Sequence, residues 1–203
     1  MSLDIEALFK NVEWVNSSTD SEVAEDGRTH LRDLSIGSEF MLGDEAFILL
    51  DKDDYLGTAK VIRKEFLHLR KVFGETADWR ESPIRTDLNS SYFDRISAIV
   101  GAQNIIPTHR DLISQDGLDD YGECVDNISL LTASEYAKYH RVLGLNSRYQ
   151  NWWWTITPAS TPSNGYSRDV CYVDSFGILN WLGCGYVRGV RPFFTLKSSI
   201  LIS

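Results

Sequence analysis

The sequence predicts an α+β fold, with helices in its first two thirds and a mostly antiparallel sheet at its end. Three observations lead there. Two helix starts carry specific capping signals, Ser82–Pro83 and Thr132-x-x-Glu135. After Gly144 helical periodicity disappears, and short apolar or alternating runs are separated by Gly, Ser, Pro and Asn. The chain has 203 residues, 43% of them hydrophobic, which is enough to bury a core without metals or disulfides.

Each element follows from local pattern. Ile5, Leu8, Phe9 and Val12 share one face of a short amphipathic helix over Asp4–Trp14, and Asn16–Thr29 is a polar connector. Glu39–Leu42 and Ala46–Asp51 read as strands around a Gly43–Asp44 turn. Asp53–Gly57 is a turn, and Ala59–Leu69 begins as a strand, with a helix as the alternative. Ser82 caps a helix that starts with Pro83, turns Ile84, Leu88 and Phe93 inward, and frays at Asn89–Ser91. A short helix over Phe93–Gly101 and a strand over Asn104–Thr108 follow. Gln115–Glu123 is an acidic loop, and Ile128–Leu131 is a buried strand. The Thr132–Glu135 box opens a helix to about Leu143, stopped by Gly144. Trp152–Thr157, Val170–Asp174, Ile178–Trp181 and Gly189–Leu196 are the closing strands. Residues 1–33 thus form an N-terminal helix and connector, and residues 34–203 the domain proper.

Composition removes several function classes. A formal charge of −9 excludes the basic footprint of a nucleic-acid binder. No apolar run approaches the length of a bilayer span, and the acidic start, with Asp4 and Glu6, lacks the basic region of a secretory signal. Three cysteines are no disulfide framework, and Cys171 and Cys184 read as buried thiols rather than a bridge. His30, His68, His109 and His140 have no zinc-ligand spacing, and the acidic loops lack the EF-hand pattern, so they read as solvated turns. No nucleophile elbow, phosphate loop or dinucleotide fingerprint is present. The expectation is a non-enzyme without cofactor or metal.

The last quarter differs from the rest. Residues 151–203 carry two acids and four bases, and hold ten of the aromatic residues among Ser, Asn, Gly and Arg. That composition belongs to adaptable binding surfaces. In Trp152–Trp153–Trp154, alternation puts Trp152 and Trp154 on one face of a strand and Trp153 on the other, so one face can anchor the core while the other stacks on a ligand.

Four ordered pieces carry a resemblance: Trp79-x-x-Ser82-x-Ile84-Arg85-x-x-Leu88-Asn89; Asp126-x-Ile128-x-Leu130-Leu131-x-x-x-Glu135-Tyr136; Trp152–Trp153–Trp154; and Gly189–Val190–Arg191–Pro192–Phe193. Together, over roughly residues 34–197, they resemble a domain family of unknown function from Gram-positive gut bacteria and their phages. That family is marked by Trp-Trp-Leu-Arg, Val-x-x-Val-x-x-x-Gly and a closing Gly-Val-Arg-Pro strand. Val170, Val173 and Gly177 fit the middle segment, whereas Trp153–Trp154–Thr155–Ile156 departs from the first. The end of the domain is also similar to the C-type lectin fold of formylglycine-generating enzymes and of the variable proteins of diversity-generating retroelements. The resemblance implies a C-type-lectin-like domain with a ligand-binding segment at about residues 151–197, and a structural Gly189–Phe194 strand in which Arg191 is buried and hydrogen-bonded.

The resulting expectation is a non-enzymatic, phage- or prophage-encoded variable or tail-associated protein for receptor recognition. Its partner would be a cell-surface protein or glycan. The expected ligand-binding residues are Tyr166, Arg168, Tyr172, Asp174, Phe176, Asn180, Trp181 and Tyr186, with Trp154 as an anchor. The rings would supply area, while Arg168, Asp174 and Asn180 would supply direction. No membrane insertion is expected, a homo-oligomer is compatible, and the product would be made in the cytoplasm and then be virion-associated or exported by a non-classical route. Two alternatives stay open: a structural subunit of a virion or surface assembly, and a formylglycine-generating-like enzyme using Cys171 or Cys184.

Overall fold

Alternating burial along three neighbouring strands sets the architecture. The computed structural model describes residues 27–143 and 152–203; the helix expected over Asp4–Trp14 and most of the polar connector lie outside them. In chain order come β1 (Thr29–His30), the hairpin β2 (Glu39–Leu42) and β3 (Glu45–Asp53), then β4 (Thr58–Arg63) and β5 (His68–Val72). Helices α1 (Pro83–Asp87) and α2 (Phe93–Val100) follow. Short strands β6 (Ile105–Ile106), β7 (Thr108–Asp111), β8 (Glu123–Asp126) and β9 (Ile128–Ser129) lead to α3 (Ala133–Leu143). The closing strands are β10 (Trp153–Pro158), β11 (Asp169–Val173), β12 (Leu179–Gly183), β13 (Val187–Val190), β14 (Phe193–Lys197) and β15 (Leu201–Ile202). The fold is mixed α+β and mostly antiparallel sheet.

One sheet runs β2-β3-β4-β14-β6, with β9 also on β14; a second runs β12-β11-β10-β13-β5. Only β10 and β13 pair in parallel among the described strands. On the first sheet Phe47, Leu49, Val61, Phe194 and Leu196 enter the larger core, shared with α1, α2 and Trp79. Their strand neighbours Ile48, Leu50, Ile62 and Phe193 enter a second core under Tyr136 and Tyr139 of α3. Burial on both faces explains why Phe47–Leu50 is continuously apolar. The same alternation divides the tryptophans, Trp154 into the larger core and Trp153 into the smaller. Both faces of β10 are therefore interior, and the ring left at the surface is Trp152, just before the strand. The chain ends of this unit meet where β1 pairs with β15, and Leu31 is already part of the core.

The two capped helices form as expected. Ser82 Oγ accepts from Ile84 N, and Thr132 Oγ1 accepts from Glu135 N while Glu135 Oε2 accepts from Thr132 N. Asn89–Ser91 does not fray: the backbone widens into a π turn over Leu88–Tyr92 and continues into α2. Asn89 explains the detour, because its amide donates to Arg85 O and Ile128 O and accepts from Asn127 N and Ile128 N. Asp126, beside it, accepts from Trp79 Nε1 and Arg85 Nε at 2.7 Å each. The conspicuous residues of the first two motif-like pieces thus bind one another and build framework.

The strand expected over Gly189–Leu196 is broken in two. At Arg191–Pro192 the chain leaves the second sheet as β13 and enters the first as β14. Proline has no N–H for a ladder, so the break falls there. Arg191 is buried, its Nε donates to Arg63 O at 2.8 Å, and its guanidinium lies 5.7 Å from the centre of the Trp153 ring. Arg63 N in turn donates to Pro192 O. Just upstream, a side chain at Gly189 would strike the Phe66 ring at 2.7 Å and approach Trp152 O at 3.2 Å, so only glycine lets β13 lie this close.

Two predictions follow from these buried charges. Arg191→Ala should cost about 3 kcal/mol in urea unfolding, because it leaves a carbonyl unpaired and a cavity against Trp153; a loss below about 1 kcal/mol would assign the joint to the strand ladders alone. The second concerns Glu135, which is bidentate to the buried Arg110 guanidinium. Burial opposes its ionisation, but the Arg110 contacts and the Thr132 N–H outweigh that, so its carboxyl titrates below its ordinary 4.5. A depressed carboxyl contributes stability above its unfolded pKa and loses it as pH falls through the folded value. Glu135→Gln should therefore destabilise the protein at neutral pH, and the difference from wild type should shrink below about pH 4.5 in denaturation curves.

Candidate functional site

The β11–β12 hairpin and the segments flanking it carry four exposed rings, Tyr166, Phe176, Trp181 and Tyr186. β11 and β12 pair with Asp169 opposite Gly183, Cys171 opposite Trp181 and Tyr172 opposite Asn180. Side chains alternate across a strand, so Asp169, Cys171 and Trp181 share the outer face while Val170, Tyr172 and Leu182 point into the larger core. Trp181 is 59% exposed, and Tyr166, Phe176, Ile178 and Tyr186 are exposed as well.

Two of these rings, Tyr166 and Trp181, line an open pocket of about 480 Å³ together with Gln115, Asp116, Ala159, Ser160 and Asp169. Its polar rim is braced from two distant parts of the chain. Asp116 accepts from the hydroxyls of Ser114 and Ser160 and from Asn164 Nδ2. The two hydroxyl bonds hold its carboxyl below the usual carboxylate range. Asp120 accepts from Ser163 N and Oγ, which ties the acidic loop to the turn carrying Tyr166. Gln115 Oε1 faces the Cys171 thiol at 3.3 Å, and Gln115 N donates to Pro158 O. The acidic loop is largely solvent-exposed, as its composition predicts, and its Asp116 and Asp120 also brace the pocket wall.

Gly183 shapes the other side. A Cβ there would sit 3.4 Å from the Tyr186 ring and 3.8 Å from Asp169 Oδ1. The Tyr186 ring and the half-buried Asp169 carboxylate thus both lie against this glycine. Asp169 makes no side-chain hydrogen bond or ion pair among the described residues, and no Lys or Arg lines the pocket.

The expected ligand residues fall into four groups. Tyr166 and Trp181 line the pocket, Tyr186 stands beside it, and Phe176 caps the far end of the hairpin. Asp174 and Asn180 are spent internally: Asp174 accepts from Phe176 N, Ile178 N and Asn180 Nδ2, and so shapes the turn that presents Phe176. Arg168 is exposed but does not line the pocket, and it contacts the Cys184 thiol. Trp154 and Tyr172 are interior. Trp154 is 0% exposed and donates to Lys71 O, and its ring meets Tyr172 edge-on. Neither offers a ligand a face, because Trp154 on β10 and Tyr172 on β11 both point into the larger core. The exposed partner in that group is Trp152, stacked on Tyr172 with the Arg188 guanidinium 4.5 Å from its ring centre.

Gln115, Asp116, Ser160 and Asp169 were not legible as site residues. Asp116 and Ser160 are 44 positions apart, so nothing local links them. Asp169 carried one signal, as an acid opening an otherwise apolar strand.

The cysteines have no nucleophile's environment. Cys171 and Cys184 are buried free thiols, and burial pushes the Cys171 thiol up to about 12. Burial also raises Cys184, against the Arg168 guanidinium, and takes the half-buried Cys124 up to about 11. No group of three or more His, Cys, Asp or Glu placed to hold a metal occurs among the described residues. No described helix is long and apolar enough to cross a membrane. A disulfide reagent at pH 8 should leave Cys171 and Cys184 unmodified in the native chain while titrating all three thiols after unfolding; rapid native reaction at either would show an accessible thiolate.

No curated protein and no solved structure matches the chain. The motif-like residues of the framework and the pocket wall from Ala159 to Trp181 nevertheless fall within one family match, over residues 56–198. The chain belongs to the family described as Domain of unknown function (DUF6273).

Proposed function

We propose that this protein is a non-catalytic recognition domain that binds a ligand on a cell surface through the β11–β12 face. The observation that carries the reading is the placement of Trp181 and Tyr166 as exposed rings in a pocket whose polar rim is fixed by the Asp116 and Asp120 networks, with the exposed Tyr186 ring next to Gly183 on the same hairpin. Large rings with few rotatable bonds give contact area at small entropic cost, and a braced rim gives direction. Single exposed rings are ordinary on protein surfaces; several around one pocket mark an interaction site. The high thiol pKa values and the absence of a nucleophile–base pair in the pocket weigh against the formylglycine-generating-like alternative.

The two-sheet frame, with its first and last strands paired as β1 and β15 and with Trp181 exposed on the edge strand β12, also supports the C-type-lectin-like reading. In that arrangement a rigid scaffold carries a variable surface, here residues 159–186, as in the phage-associated receptor-recognition proteins of diversity-generating retroelements.

The test uses the fluorescently labelled full chain and whole cells of a panel of Gram-positive gut bacteria. Wild type should label at least one strain, and the Trp181→Ala/Tyr186→Ala double variant should lose about tenfold or more of that binding. Its melting temperature should move by less than about 3 °C, because both rings are exposed. No labelling across the panel, labelling unchanged by the double substitution, or a collapse of folding would overturn the reading.

A further inference from the structure

The pocket beside Trp181 has a chemical bias that exposed rings alone do not explain. Two carboxylates, Asp116 and Asp169, and the amide of Gln115 and hydroxyl of Ser160 line it together with the Tyr166 and Trp181 rings. No cationic side chain enters it. Asp116 is stabilised as an anion by its Ser114, Ser160 and Asn164 donors; two of them fill Oδ2, and Oδ1 keeps one lone pair for a guest. The half-buried Asp169 carboxylate, opposite Gly183, makes no side-chain hydrogen bond or ion pair among the described residues. Exposed aromatic faces add negative quadrupole potential to this negative rim, so both parts of the lining favour the same sign of guest.

We propose that this pocket takes a primary alkylammonium group, the side chain of a lysine on a protein partner. The inference rests on the recognition reading above and names its ligand chemistry. An ammonium has three donors and no acceptor, which matches a lining of carboxylate, amide and hydroxyl oxygens. The four-carbon stem of lysine is apolar and fits between the Tyr166 and Trp181 rings while the charged head reaches Asp169 and Asp116. A fully methylated ammonium would leave those acceptors unused, and the flat fork of a guanidinium is better met by one bidentate carboxylate than by two separate ones. The whole chain reinforces the bias, since its net charge of −9 steers a basic partner toward it.

The experiment is a ¹H–¹⁵N NMR titration of the full chain with Nα-acetyl-lysine methylamide, its uncharged isostere Nα-acetyl-norleucine methylamide, and glucosamine. The lysine amide should shift the Trp181 indole N–H and the Gly183 amide, the norleucine amide should not, and added salt should weaken the effect. Asp169→Asn, an isosteric change at a partly exposed position, should reduce the lysine affinity about tenfold while leaving the rest of the spectrum in place. Equal shifts with norleucine, unchanged affinity in Asp169→Asn, or tighter binding of glucosamine would overturn the assignment. If cells are bound through Trp181 and Tyr186 but the lysine amide shifts nothing, the ammonium assignment falls and the recognition surface stands. If the lysine amide binds but the double variant still labels cells, the pocket stands and the recognition reading falls.

Discussion

The passage of the chain from β13 into β14 is the constraint on which the rest of the molecule depends. Two sheets with different neighbours must be joined within the two residues Arg191 and Pro192. The junction is clasped twice around a single residue, since Arg63 O accepts from Arg191 Nε while Arg63 N donates to Pro192 O. A buried guanidinium is costly unless its donors are met, so this arrangement tolerates little displacement. Its stacking against Trp153 then fixes β10, and β10 in turn pairs with β11. The hairpin with the exposed rings is therefore held at the end of a chain of buried contacts, not on a free loop.

That rigidity gives the outer face its meaning. The turn at Asp174 and the strut at Asp116 are each held by three internal hydrogen bonds. Rings mounted on such supports lose little further freedom when they meet a ligand. The polar residues nearest the hairpin therefore serve two different purposes. Asp174, Asn180 and Asp116 build the mount, and only Asp169 keeps a carboxylate unspent. A negative pocket between aromatic walls, on a chain already acidic, selects the charge of its guest before any specific contact forms.

How much could be read in advance varied with the range of the interaction. The caps at Ser82 and Thr132 were legible because the donors and acceptors lie within three residues of each other. The β2–β3 hairpin and the strands β10, β11 and β12 were legible from alternation and turn residues. The widened turn at Asn89 was not, because what holds it is the backbone of Asn127 and Ile128. Trp154 and Tyr172 looked like ligand contacts because composition marks a ring as large and amphipathic without saying what covers it. Asp174 and Asn180 looked like directional ligand contacts, and nothing in their spacing showed that they would bond each other.

The sequence by itself determined the class of fold, the positions of the capped helices and the segment in which rings concentrate. Those properties follow from propensity, periodicity and short-range hydrogen bonding, which act within a few residues. Only the tertiary structure decided which rings face water, because β10 is covered by one core on each side while β12 is a sheet edge from which Trp181 projects into solvent. It also decided the pocket, which needs Gln115 and Asp116 from one loop, Ser160 and Tyr166 from a second, and Asp169 and Trp181 from the hairpin. Contacts spanning 44 residues leave no local trace, since any register of the two segments would satisfy the same local rules.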